Sequence, residues 1–198
     1  MRKIILASAS PRRSQILEWA EVPHMIVTPG CQEDYPAELS HEQIAIYIAQ
    51  NKAMAVQKQI SKNNQYDLRH GLTLPILAAD TIVILGDSVI GKPQGRNEAI
   101  KTLQQLSGSV HKVITGVCIL YKNSETSFSD TTLVEFNQLS DSQIEYYIDK
   151  YKPFDKAGSY AIQEWIGIIG IKSINGDYYN VMGLPINRIV REINLLGK

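Results

Sequence analysis

The chain has 198 residues, 44% of them hydrophobic and 20% charged, with lysine plus arginine and aspartate plus glutamate balanced at 20 each. That is the make-up of a soluble globular protein long enough for one substantial domain, and its zero net charge argues against a dedicated nucleic-acid or anionic-membrane binder. Any anion site must be a local cluster, and no run approaches the ~18–20 apolar residues needed to cross a bilayer.

Residues 2–6 read as a first strand, carried by Ile4, Ile5 and Leu6. Ser10 is a helix N-cap and Pro11 suits the first helical position, where its missing N–H costs nothing. Residues 11–20 then form a helix with Ile16, Leu17 and Ala20 facing inward. Arg12 and Arg13 fall in its first turn, at the positive end of the helix dipole, where each cation costs ~0.3–1 kcal/mol. A polyanion resting there would reverse that sign, although a solvated basic turn accounts for the same residues. Residues 24–27 read as a short strand, followed by a loop over 28–39 that carries Cys31-Gln-Glu-Asp34.

Ser40-His-Glu-Gln43 is a capping box opening a helix to about residue 60, and 61–73 is a polar loop punctuated by Gly71. Residues 74–85 are nearly all apolar and read as a central strand, turned by Gly86-Asp87 into a short partner at 89–90. A helix over 95–107 turns Ala99, Leu103 and Leu106 to one side. Two long strands, 112–121 and 126–136, are joined by a polar hairpin. Ser140-Asp-Ser-Gln143 is a second capping box, opening a helix to about Tyr151. Residues 166–174 read as a strand ended by Asn175-Gly176, and Pro185 starts a last helix with Ile186, Ile189, Val190 and Ile193 inward. The expected fold is α/β: a single domain with a mixed twisted sheet flanked by helices.

Asp80 stands inside Pro75-Ile-Leu-Ala-Ala-Asp-Thr-Ile-Val-Ile-Leu85, where an ionised carboxylate is expensive unless paired or metal-bound. It reads either as a cap at a strand end or as a general base or metal ligand at the open end of a sheet, with the Thr81 hydroxyl beside it. Lys52 shares a helix face with Ile44 and Ile48, so it either points inward or snorkels to solvent. Gly86-Asp-Ser-Val-Ile-Gly-Lys92 matches most of a P-loop, but Pro93 stands where a metal-binding Ser or Thr is required, so that reading fails. Lys92 can still meet a phosphate as a point charge. In Asp155-Lys-Ala-Gly-Ser-Tyr-Ala-Ile-Gln163, Gly158 and Ser159 allow close backbone approach, and Gln163 can read a nucleobase edge by donating and accepting together. A structural turn fits that stretch equally well. Glu33 lies in an acid-rich loop and, taken alone, reads as a solvated surface carboxylate. Cys31 and Cys118 are isolated, and His24, His41, His70 and His111 show no ligand spacing, so a zinc site is not expected. A cytoplasmic, reduced protein is the expectation.

Ser8-Ala-Ser-Pro-Arg-Arg13, Ala79-Asp-Thr81, Gly91-Lys-Pro93, Leu106-Ser-Gly108 with Thr115-Gly-Val117, Asp155-Lys-Ala-Gly-Ser-Tyr160 with Ile162-Gln163, and the run from Gly176 to Pro185 occur in one order along essentially the whole chain. Together they resemble the motifs of the Maf-like nucleotide pyrophosphatases. The resemblance implies one domain over residues 1–198, similar in fold to the inosine triphosphate pyrophosphatases and often dimeric. It implies hydrolysis of nucleoside triphosphates to monophosphate and pyrophosphate with a divalent cation, Mg²⁺ or Mn²⁺. By the same resemblance Asp80 is the general base; Ser8, Arg13, Lys52 and Lys92 hold phosphates; and Glu33 joins Asp80 at the metal or water. Arg12, Thr81 and Gln163 mark the subgroup acting on dTTP and UTP, whereas a sister subgroup prefers 7-methyl-GTP. A nucleotide-binding regulator of division that does not hydrolyse would keep the cations but would not need Asp80. Two positions depart from the pattern: Gly116, where many relatives have Ala, and Gln32-Glu33, where paired acids are common.

Overall fold

The computed structural model describes residues 2–62 and 74–196. The loop expected over 61–73 therefore lies outside the described residues except at its start, where Ser61 and Lys62 still belong to a helix. Among the described residues seven strands form one mixed sheet: β1 (Ile4–Leu6), β2 (His24–Ile26), β3 (Ile76–Leu85), β4 (Ser88–Ile90), β5 (Val110–Tyr121), β6 (Ser124–Phe136) and β7 (Ile171–Asn175). Their order is β2-β1-β3-β5-β6-β7, with β4 paired to β3. β1 runs parallel to both neighbours, setting Ile4 opposite His24 and Leu6 opposite Leu77. The expected α/β class is observed, and no helix among the described residues is long and apolar enough to cross a membrane.

Two compact units divide the chain. The first comprises Met1–Asp80, Thr115–Asp130 and Gly183–Lys198, and the second Thr81–Ile114 and Thr131–Met182. In the first, helix α1 (Pro11–Trp19) buries Ile16 and Leu17, while α2 (His41–Lys62) turns a stripe of Ile44, Ile48, Ala49, Ala53, Val56 and Ile60 inward. Ala49, Ala53, Val56 and Ile60 of that stripe pack with Ile5, Ala78 and Cys118 from the strands and with Ala7 just after β1. Burial pushes the Cys118 thiol up to about 11, so it acts as a small hydrophobe. The expected capping box opens α2: Gln43 N–H donates to Ser40 Oγ at 3.3 Å and Ser40 N–H to Gln43 Oε1 at 2.9 Å. The departure at Gly116 has a packing cause. A Cβ there would lie 2.2 Å from the Ala45 carbonyl carbon, so β5 and α2 meet backbone to backbone.

In the second unit, α3 (Arg96–Leu106) packs against α4 (Asp141–Tyr151), and Arg96 grips Asp149 with two bonds of 2.7 and 2.9 Å. A 3₁₀ turn (Ala157–Ser159), α5 (Trp165–Gly170), β7 and α6 (Tyr178–Met182) complete it around Val83, Val113 and Val134. The strand expected over 166–174 is wrong in its first half. Gly167 and Ile168 N–H donate to the Glu164 carbonyl, winding that half into α5, and only Ile171 onward pairs with β6. An apolar run of that length suits a helical turn as well as a strand. The last helix, α7 (Ile186–Leu195), returns to the first unit with Ile186, Ile189 and Ile193 buried and Val190 half-buried.

His111 is almost wholly buried, its Nε2 2.7 Å from the Tyr160 hydroxyl and its ring 5.6 Å from Phe136. Burial lowers its pKa to about 4. Below about pH 6.5 the unfolded chain takes up a proton that the folded chain refuses down to that value. Stability is therefore full above about pH 6.5 and falls as pH drops towards about 4, by at most about 3 kcal/mol from this group. Thermal unfolding followed across this range should show the decline, and His111→Gln should flatten it; a parallel profile for the variant would refute the assignment. Gly116→Ala should cost about 1–3 kcal/mol in denaturant unfolding, the usual scale for overpacking. An unchanged midpoint would contradict the close approach of β5 and α2.

Candidate functional site

The first unit gathers its charges around one ammonium. Asp80 lies inside β3 beside Ala78, Ala79 and Ile82 and is only 8% exposed, so it is not a strand-end cap. Lys52 continues the buried stripe of α2 one turn after Ile48 and does not snorkel to solvent. Its Nζ lies 2.6 Å from Asp80 Oδ1 and 2.6 Å from Glu33 Oε1. Glu33 comes from the loop after β2 with its side chain 45% exposed, yet it is tied to the buried lysine. A buried ammonium with two carboxylates meets the requirement that a desolvated charge be paired and hydrogen-bonded.

Arg13 supplies the second buried cation. Its Nε donates to the Gly183 carbonyl at 2.8 Å and its Nη1 to Ser8 Oγ at 3.2 Å. Burial pulls its pKa below the ordinary arginine value and the neighbouring Arg12 adds to that, while Asp80 and then Glu33 pull the other way. The first-helix cations and the β3 carboxylate therefore share one electrostatic environment. Ser8 Oγ also accepts from Ser10 N–H at 3.1 Å, pinning the turn that leads into α1. Ser10 holds the expected N-cap position with extended backbone, but its side chain makes no capping bond. The hydroxyl that organises this turn belongs to Ser8.

Six of the candidate residues thus come together in the first unit: Ser8, Arg12, Arg13, Glu33, Lys52 and Asp80. Thr81, Lys92 and Gln163 belong to the second unit. Thr81 follows Asp80 on β3 and is half-buried, and Lys92 is exposed after β4. The Gly86–Lys92 stretch is a β3–β4 hairpin with Gly86 at φ +59°, not a phosphate loop opening a helix. Gly158 N–H donates to the Gly91 carbonyl at 3.3 Å, joining the Lys92 loop to the segment that leads to Gln163. In that segment Gly158 (φ +71°) and Ser159 (φ +58°) are both left-handed, free of cost for the glycine but strained for the serine. Gln163 Oε1 is buried and has no hydrogen-bond partner among the described residues.

Gly183 lies in the last of the motifs that carry the resemblance but is given no role there; its carbonyl anchors Arg13 from 170 residues away. Sequence reasoning missed Tyr147 and Glu164, which are hydrogen-bonded to each other beside Gln163. The only signal was the inward position of Tyr147 between Ile144 and Ile148. For a cation, the donors on hand are the Asp80 and Glu33 carboxylates. No group of three His, Cys, Asp or Glu side chains among the described residues forms a protein-only cage. Two hard oxygen donors fit a divalent ion that keeps water or phosphate oxygens as its remaining ligands.

The family model described as Maf-like protein matches residues 3–196. A protein of Phocaeicola vulgatus named dTTP/UTP pyrophosphatase is 47% identical over 195 residues, covering 98% of this chain and 96% of its own length. Proteins of the same name from Porphyromonas gingivalis (43% over 197 residues; 99% and 95%) and Cytophaga hutchinsonii (47% over 190 residues; 96% and 82%) align almost as fully. With nearly the whole chain covered by the family model and by these relatives, this chain belongs to the Maf-like family.

Proposed function

We propose that this protein hydrolyses dTTP, UTP and related or modified pyrimidine nucleoside triphosphates to the monophosphate and pyrophosphate. The observation that carries this reading is the buried Asp80 carboxylate, held by Lys52 in the same charged cluster as Arg13. The names of the relatives support it, and the presence of Arg12, Thr81 and Gln163 favours it over a 7-methyl-GTP enzyme. A binding-only regulator would have no use for a carboxylate buried at this cost.

In the proposed reaction, water attacks the α-phosphorus in line with the departing pyrophosphate. Asp80 takes the proton of that water, and Lys52 fixes the carboxylate's orientation. Arg13, anchored at Gly183 and Ser8, meets the triphosphate as a preset guanidinium that needs no reorganisation when charge develops. Ser8, Arg12, Lys52 and Lys92 add donors to the phosphate oxygens, so that positioning and charge supply most of the acceleration. Asp80 and Glu33 would hold Mg²⁺ or Mn²⁺, which when bound supplies further neutralisation of phosphate charge. Thr81 and Gln163 contact the nucleoside; the Gln163 carbonyl accepts from the N3–H that uracil and thymine carry and cytosine lacks. The proposed substrate is a free nucleotide and not a nucleic acid, which the balanced charge supports. The proposed setting is the cytoplasm, and the proposed assembly a homodimer of the kind Maf-like proteins often form.

Asp80→Asn should keep the fold and nucleotide binding while losing about 10²–10⁴-fold in turnover, read as pyrophosphate release from a series of triphosphates. Turnover equal to the wild type would remove Asp80 from the role of base, and release of orthophosphate with a diphosphate would overturn the reaction type. Chelation of divalent ions should abolish release and added Mg²⁺ or Mn²⁺ should restore it. Undiminished activity in the chelator would rule the metal out.

A further inference from the structure

The second unit contains a hydrogen-bonded clamp around the turn that carries Gln163. Residues 161–164 form a β-turn closed by Glu164 N–H donating to the Ala161 carbonyl at 3.0 Å, with Ile162 and Gln163 as its corners. Tyr147 of α4 is fully buried, and its single phenol oxygen holds both ends of this turn. It accepts from Ala161 N–H at 3.1 Å and donates to Glu164 Oε2 at 2.5 Å. The other carboxylate oxygen, Glu164 Oε1, lies 3.8 Å from the buried Lys156 ammonium, itself bonded to Asp155 Oδ1 at 2.7 Å. Behind the turn, a Cβ on Gly167 would stand 1.7 Å from the Ile162 carbonyl oxygen, so the backbone there has no slack. The Tyr147 ring is stacked on Tyr151 at 5.1 Å.

A glutamine amide needs such a clamp if it is to choose between bases. Its oxygen accepts and its nitrogen donates, so a half-turn about its last torsion offers either group to the same point. The orientation that presents Oε1 selects a ring with N3–H; the reversed one serves a ring with a bare N3. Oε1 is buried and without a donor among the described residues, an acceptor left unmet at a cost in stability. We propose that Tyr147 is a positioning residue for base selection: by clamping Ala161 and Glu164 it holds Gln163 with Oε1 towards N3–H, and so separates uracil and thymine from cytosine. This rests on the pyrophosphatase reading above.

The test compares steady-state kinetics with UTP and CTP for the wild type, Tyr147→Phe, Glu164→Ala and Glu164→Gln. Tyr147→Phe and Glu164→Ala should each raise KM for UTP about tenfold, with a much smaller change in kcat, and should lower the UTP-over-CTP preference by a similar factor. Glu164→Gln keeps an acceptor for the phenol and should restore most of the preference. Inhibition by inorganic tripolyphosphate, which has no base, should be as strong in Tyr147→Phe as in the wild type. Equal losses on both nucleotides, with the preference intact and the melting temperature lowered, would reduce Tyr147 to a core residue and overturn the proposal. A wild type that prefers UTP alongside a Tyr147→Phe variant that retains the preference would defeat this inference alone. A wild type that releases no pyrophosphate from either nucleotide would defeat the pyrophosphatase reading and this inference with it.

Discussion

One buried ammonium organises the first unit. Lys52 is drawn out of water by the apolar stripe of α2, and a desolvated cation costs several kcal/mol unless it is met by opposite charge. Two carboxylates meet it, one from the interior of β3 and one from the loop after β2, so a single side chain links three segments. Removing the Asp80 side chain altogether would leave the buried ammonium with one half-exposed counter-charge, Glu33. Arg13 repeats the logic on a smaller scale: it is buried, and two of its five N–H donors go to a backbone carbonyl and a serine hydroxyl. A fold selected only for stability would fill these positions with aliphatic side chains of similar volume. Their charge is the clearest mark of function in the molecule.

The second unit shows the same departure from the cheapest solution in its backbone. Gly158 and Ser159 adopt left-handed conformations in succession, and the buried Ser159 hydroxyl has no hydrogen-bond partner among the described residues. Strain and an unmet hydroxyl in one short segment persist only where surrounding structure enforces them. Here the enforcement comes from the bond to the Gly91 carbonyl and from the Tyr147–Glu164–Lys156 network that follows.

Much of this was legible in the residues. The capping boxes at Ser40 and Ser140 both form, because each depends on contacts no more than three residues apart. Asp80 and Lys52 stood out because each breaks an apolar pattern of known period, and a charge in such a place has to be paired. Glu33 carried no such signal: its loop has no periodicity, and its bond to Lys52 depends on where α2 happens to pass. Ser10 does hold the N-cap position, but local sequence cannot tell that the hydroxyl bonding in this turn is that of Ser8. The stretch 166–174 differs from its expected strand because apolar content does not separate a helical turn from a strand; the Glu164 carbonyl decides it. Tyr147 was hidden for the opposite reason, since a buried tyrosine between two isoleucines reads as core until the partners of its hydroxyl are seen.

The position of water attack tests the role of the Lys52-held acid most directly. Hydrolysis of UTP by the wild-type protein in heavy-oxygen water, with the products resolved by mass spectrometry, should place the label in uridine monophosphate and leave pyrophosphate unlabelled. Label in pyrophosphate or in orthophosphate would mean that water is activated at another phosphorus, and the assignment of Asp80 as the base at the α-phosphorus would be contradicted.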